Sequence, residues 1–116
     1  MKDLKAILKR SAESGQNIVL DGADLVSQRG YTIIPNYVLY TSRLSAHAKL
    51  VYSVLLSYAW NKNAVFPGQS RLAEECGLGL STVKRALREL KAAQFITVIR
   101  RGLCRTNVYV LHFRKR

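Results

Sequence analysis

The chain has 116 residues, 48% of them hydrophobic, with 19 Lys/Arg against 7 Asp/Glu, a net charge of +12 and a pI near 10.2. That length suits one compact domain with a single core and is too short for two ordinary ones, and the apolar content excludes a wholly disordered chain. The charge is uneven: residues 1–58 carry seven Lys/Arg and four Asp/Glu, net +3, and residues 59–116 carry twelve and three, net +9, so the expected partner is a polyanion met by the C-terminal half.

No stretch approaches the roughly 18 consecutive apolar residues of a membrane span. The opening "MKDLKAILKRSAESG" has charges throughout where a signal peptide would have an apolar core. Cys76 and Cys104 lie in different predicted elements without a C-x-x-C or His-rich context, which argues against a disulfide and against zinc. A cytoplasmic protein without cofactor or metal is the expectation.

In chain order, Leu4, Ile7 and Leu8 have helical spacing, so residues 2–14 read as a short helix stopped by Gly15. Residues 17–30 read as a linker around "IVL". Residues 31–34 suit a strand, Pro35 can open a helical turn, and the aromatic bulk of residues 37–40 is expected to pack on the next helix. Ser45 is the expected N-cap of a helix reaching about Trp60. In it, Ala48, Val51, Leu55 and Tyr58 form one apolar row, Leu50 and Val54 another, and Tyr52, Leu56 and Ala59 widen the face. A helix apolar around so much of its circumference belongs at the centre of a core.

"NKNAVFPGQ" ends that helix, with Val65-Phe66 as a minimal strand and Pro67-Gly68 as the entry to a helix over residues 69–76 that buries Leu72 and Ala73. Gly77 and Gly79 bracket a turn into a helix over residues 80–93. There Val83, Ala86, Leu87, Leu90 and Ala93 gather on one side at about 100° per residue, and Lys84, Arg85, Arg88 and Lys91 spread over the other. Four cations against one anion, Glu89, make a one-signed face, unlike the mixed pattern of an ordinary solvated helix. Residues 95–101 and 107–113 read as a β-hairpin, with Ile96, Val98, Val108 and Val110 on one face, Arg101 and Arg105 at the tip, and the basic tail 114–116 beyond.

The predicted fold is mainly α with a small β-hairpin (α+β). A short helix, a Gly-containing turn, a helix with cations outward and a basic hairpin form a winged helix-turn-helix. The major groove of B-DNA, about 12 Å wide, admits one helix. The domain reading is an N-terminal helix and linker over residues 1–30, suited to an oligomerisation arm, a winged-helix domain over residues 31–113, and the tail.

"LSAHAKLVYSVLLSYA", "VFPGQSRLAEECG" and "STVKRALRELKAAQFI" resemble the winged-helix domains of plasmid and phage replication initiators and of DnaD-type primosome proteins. The resemblance spans about residues 31–113 and implies binding of double-stranded DNA, with an association with nucleoid or plasmid DNA, a homodimer on the duplex and a replication or regulatory protein as partners. Gly68 and Gly79 depart from it by replacing polar N-caps. Gln94 replaces a helix-ending Gly, which predicts a less sharply turned junction into the hairpin.

The base-edge candidates are Ser81, Thr82, Arg85 and Arg88; Thr82 has local capping as its other use, and phosphate contact is open to both arginines. Phosphate contacts are assigned to Gln69, Ser70 and Arg71 at the start of the preceding helix and to Lys84 and Lys91, with Arg100, Arg101 and Arg105 as wing contacts. Leu80 is open between the core edge and a thymine methyl. His47 and His112 have no metal-ligand partner at useful spacing, no nucleophile or phosphate-loop motif occurs, and Trp60 with most tyrosines falls in core rows, so an enzyme is not expected. The rival roles are a transcriptional repressor or DNA-partition adaptor and, from another class, a protein-interaction module.

Overall fold

A computed structural model describes residues 4–15, 18, 30–60, 68–100, 102 and 108–113. The chain forms two compact units, Met1–Tyr31 and Thr32–Arg116. In the first, α1 (Leu4–Ser14) has Leu4 and Leu8 exposed and ends at Gly15, whose φ of +71° suits glycine and whose N–H donates to Ser11 O at 3.0 Å.

The second unit orders α2 (Asn36–Leu39), α3 (Ala46–Trp60), α4 (Gln69–Cys76), α5 (Leu80–Ala92), β1 (Ile96–Ile99) and β2 (Val108–Leu111). Pro35 caps α2 as expected. Residues 31–34, however, form no strand: the sheet among the described residues has two strands, β1 and β2, so this extended segment has no ladder to join. Ser45 caps α3, its Oγ accepting from Ala48 N–H at 3.2 Å.

α3 buries Ala48, Val51, Tyr52, Leu55 and Leu56 and half-buries Val54 and Tyr58, so it is central to the core; Leu50 and Ala59 are exposed. Around it α4 contributes Leu72 and Ala73, and α5 contributes Val83, Ala86, Leu87 and Leu90. Gly77, at φ +67°, closes α4, with Leu78 N–H reaching Ala73 O at 3.0 Å and Gly77 N–H reaching Glu74 O at 3.1 Å.

α5 ends in the same double closure without glycine. Phe95 N–H donates to Leu90 O at 2.9 Å and Gln94 N–H to Lys91 O at 3.1 Å, with Gln94 itself at φ +65°. The junction is therefore as sharp as a glycine would make it, contrary to the sequence expectation. Burial of Phe95 beside Leu90 in the core holds the turn against the left-handed penalty at Gln94.

Phe95 organises an aromatic cluster: Tyr37 stacks on it at 5.8 Å, Tyr52 meets it edge-on at 6.3 Å, and the Arg43 guanidinium lies 5.6 Å from its ring centroid. The Tyr37 hydroxyl donates to His112 O, and that of Tyr52 reaches the same oxygen at 3.3 Å. Burial, then the Tyr37 hydroxyl, hold the Tyr52 phenol well above its ordinary pKa. Elsewhere aromatics stay outside: Tyr31, Tyr40 and Trp60 are exposed, and Trp60 stacks on Phe113 at 6.1 Å, which corrects the assignment of these three to core rows, whereas Tyr37, Tyr52, Tyr58 and Tyr109 are buried or half-buried.

The hairpin register pairs Ile96 with Leu111 and Val98 with Tyr109. Directly opposed residues share a face. The inner face is thus Ile96, Val98, Tyr109 and Leu111, while Val108 and Val110 lie with Thr97 and Ile99 on the outer face, correcting the predicted set. Val65-Phe66, Cys104, and the tail 114–116 lie outside the described residues.

Candidate nucleic-acid interface

Three turns of α5 decide where its charges go. Counting about 100° per residue from the buried Val83, Ala86, Leu87 and Leu90, the residues Ser81, Arg85, Arg88 and Ala92 point most directly outward. Lys84 and Lys91 fall on one flank, Thr82 and Glu89 on the other.

The Lys84 flank faces the hairpin. Lys84, Arg88 and Lys91, together with Arg100 after β1 and Gln69 at the start of α4, line a groove of about 370 Å³ floored by Leu87, Val98 and Tyr109. None of the described residues lining it is a carboxylate. The side chains of Lys84, Arg85, Arg88, Lys91 and Arg100 make no ion pair or hydrogen bond among the described residues. Unneutralised cations held around one concavity reinforce each other's attraction for an anion.

The opposite flank explains why the one acid of α5 does not quench this field. Glu89 turns to α3: its Oε2 accepts Ser45 N–H at 2.5 Å and its Oε1 accepts the Ser45 hydroxyl at 2.8 Å. That carboxylate also sits at the positive end of the α3 dipole. Arg43 is diverted in the complementary sense, its Nη2 donating to Ala93 O at 3.1 Å at the C-terminal end of α5. Glu89 and Arg43 thus serve the fold.

The sequence-predicted residues separate accordingly. Gln69, Lys84, Arg88, Lys91 and Arg100 are brought together at the groove. Ser81 and Arg85 are exposed on the adjoining outer face; Thr82 is half-buried on the far flank. Ser70 is exposed at the start of α4, and Arg71, also exposed, approaches Glu75 at 4.0 Å. Glu75 in turn accepts the Tyr58 hydroxyl at 2.5 Å, the bond that chiefly pushes the Tyr58 pKa up. Arg101 and Arg105 lie outside the described residues. Leu80, left open between the core edge and a thymine methyl, is 41% exposed and is not among the buried core residues.

Sequence reasoning missed Tyr109 and Val98 as the groove floor, because their placement follows from hairpin register, and missed the Glu89–Ser45 clamp, for which a lone acid on a basic helix was the only signal. Both helix starts are bare: Gly68 and Gly79 have extended backbones and no side-chain cap, with nothing within 4 Å of where a Cβ would stand. Burial, with a smaller contribution from Glu75, pushes the Cys76 thiol up and keeps it protonated at neutral pH. Among the described residues no group of three or more His, Cys, Asp or Glu could hold a metal ion, and no helix is long and apolar enough to cross a membrane.

A family of helix-turn-helix domains matches residues 42–96. Neither a curated protein nor a solved structure matches the chain significantly. The matched span runs from the residues before α3 through α4, its glycine turn and α5 to the start of β1. With the antiparallel β1–β2 hairpin following α5, the fold is an α+β winged helix-turn-helix, an architecture that points to DNA.

Proposed function

We propose that this protein binds double-stranded DNA sequence-specifically, inserting α5 in the major groove and laying one sugar-phosphate strand along the groove between α5 and the hairpin. One observation carries the reading: Lys84, Arg88, Lys91 and Arg100 converge on that groove, and none of the described residues lining it is a carboxylate. Ser81 and Arg85, outward and beside it, are then the base-edge readers, and Arg88 serves both surfaces. The protein acts as a binding protein and not as an enzyme.

The sequence resemblance to replication initiators favours a replication origin as the target, and the same interface serves a transcriptional regulator equally well. A pseudo-palindromic target would bring a second copy onto the duplex, with half-sites about one helical turn apart.

A duplex selected from a random pool and a scrambled duplex, titrated by fluorescence anisotropy at several salt concentrations, test the proposal. Preference for the selected site by about 10³ or more, with affinity falling steeply in salt, is expected. Lys91→Ala or Arg100→Ala should weaken all duplexes alike and lower the salt slope by about 1, whereas Arg85→Ala should relax sequence preference. Equal binding to both duplexes, or a salt slope unchanged in Lys91→Ala and Arg100→Ala alike, would refute it.

A further inference from the structure

The flank of α5 that carries Lys84 and Lys91 begins with one large apolar side chain. Leu80 is the first residue of the helix and is 41% exposed. Its neighbour two residues back, Leu78, packs against the core, and Val83 three residues on is fully buried; Leu80 does neither. A solitary exposed leucine is ordinary on a protein surface. This one begins a flank whose exposed side chains farther along, Lys84 and Lys91, are both cationic and line the groove, and it shares the i,i+4 ridge with Lys84.

We infer that Leu80 is a specificity-determining residue that packs against the C5-methyl group of a thymine in the target duplex. The inference rests on the duplex-binding reading above. Residues at the N-terminus of a helix lying in the major groove are those that reach base edges. On that edge the thymine methyl is the one apolar feature among donors and acceptors, so an aliphatic side chain there separates T from C without a hydrogen bond. The preceding turn leaves the approach clear: Gly79 has no side chain, and open space surrounds the position its Cβ would take. The flanking cations supply the attraction that holds an otherwise weak methyl contact in register.

The test removes the methyl from the DNA and the side chain from the protein separately. In the duplex selected from a random pool, each thymine is replaced singly by deoxyuridine, and Kd is measured by anisotropy for the wild type, Leu80→Ala and Leu80→Met. At one or two thymines the wild type should lose about fourfold in affinity, the burial of one methyl group expressed as a ratio of binding constants. Leu80→Ala should bind the thymine duplex about as weakly as wild type binds the deoxyuridine one and show no further loss on deoxyuridine, whereas Leu80→Met should keep the discrimination. Because Leu80 lies outside the core, an unchanged melting temperature confirms that the variants fold.

Deoxyuridine penalties that persist in full in Leu80→Ala, or none in the wild type on a selected duplex, would overturn the inference while leaving sequence-specific binding intact. Failure of the random pool to enrich any sequence would overturn the duplex-reading proposal itself, and the inference with it.

Discussion

Replacing Glu89 by Ala should lower stability without weakening DNA binding, a separation of two properties that a residue on the contact helix would ordinarily change together. The carboxylate receives two hydrogen bonds from Ser45, at 2.5 and 2.8 Å, and is half-buried. Net contributions of about 0.5–1.5 kcal/mol for a hydrogen bond, and of about 0.3–1 kcal/mol for an anion at a helix N-terminus, give a loss of about 1–2 kcal/mol once solvent replaces part of each. For a domain of this size that is a fall in Tm of about 5–15 °C, read by circular dichroism. Ser45→Ala breaks the same network, so the double variant should cost much less than the sum of the two single changes. The duplex affinity of Glu89→Ala at low salt should equal or exceed that of the wild type, because an anion has left the contact helix. A Tm within about 1 °C of wild type would refute the clamp, given the magnitudes above; a loss of affinity in a folded variant would show that Glu89 faces the DNA.

Two further changes probe the fold that carries the site. Gln94→Gly should raise stability by about 0.5–1 kcal/mol in urea unfolding, since the left-handed penalty at φ +65° exceeds the extra chain entropy of glycine, and destabilisation would mean that the Gln94 side chain does more than tolerate its backbone. Tyr52 has a folded pKa raised above its unfolded value of about 10, so its contribution is fully present below pH 10 and is lost as pH rises through the folded value. Alkaline unfolding followed by tyrosinate absorbance should therefore be shallower in Tyr52→Phe than in wild type, and identical profiles would remove Tyr52 as its cause.

The elements readable from sequence were those punctuated by backbone chemistry. Gly68 and Gly77 bound α4 at the predicted residues, and Ser45 opens α3 where its hydroxyl can cap it. Period 3.6 fixed the buried side of α5, hence its cationic side. What failed depends on partners remote in sequence. Period 2 says that Val108 and Tyr109 face opposite ways, but only pairing of Val98 with Tyr109 decides which faces inward. Residues 31–34 have strand-like side chains and no strand to bond. Leu50 completes an apolar row on paper and is exposed, and Ala59 continues the row of Tyr52 and Leu55 but stands in the last turn of α3, where it is exposed.

The same dependence on remote partners shapes the candidate site. Composition assigns α5 its cations, yet an unpaired field requires that the acid on the same helix be used elsewhere, and here helix ends take up both that acid and a neighbouring cation. The α3 N-terminus takes the only carboxylate of α5, and the α5 C-terminus takes the guanidinium of Arg43. Each pairing satisfies polar groups at a helix end and complements its dipole. Had Glu89 stood one position earlier, in place of Arg88, it would have lain in the groove beside Lys84 and Lys91, leaving the Ser45 cap unsupported and the groove partly neutralised. The order Arg88-Glu89 therefore couples the capping of α3 to the exposure of a one-signed surface on α5. Exchanging those two residues should lower both Tm and DNA affinity even though composition and net charge stay the same.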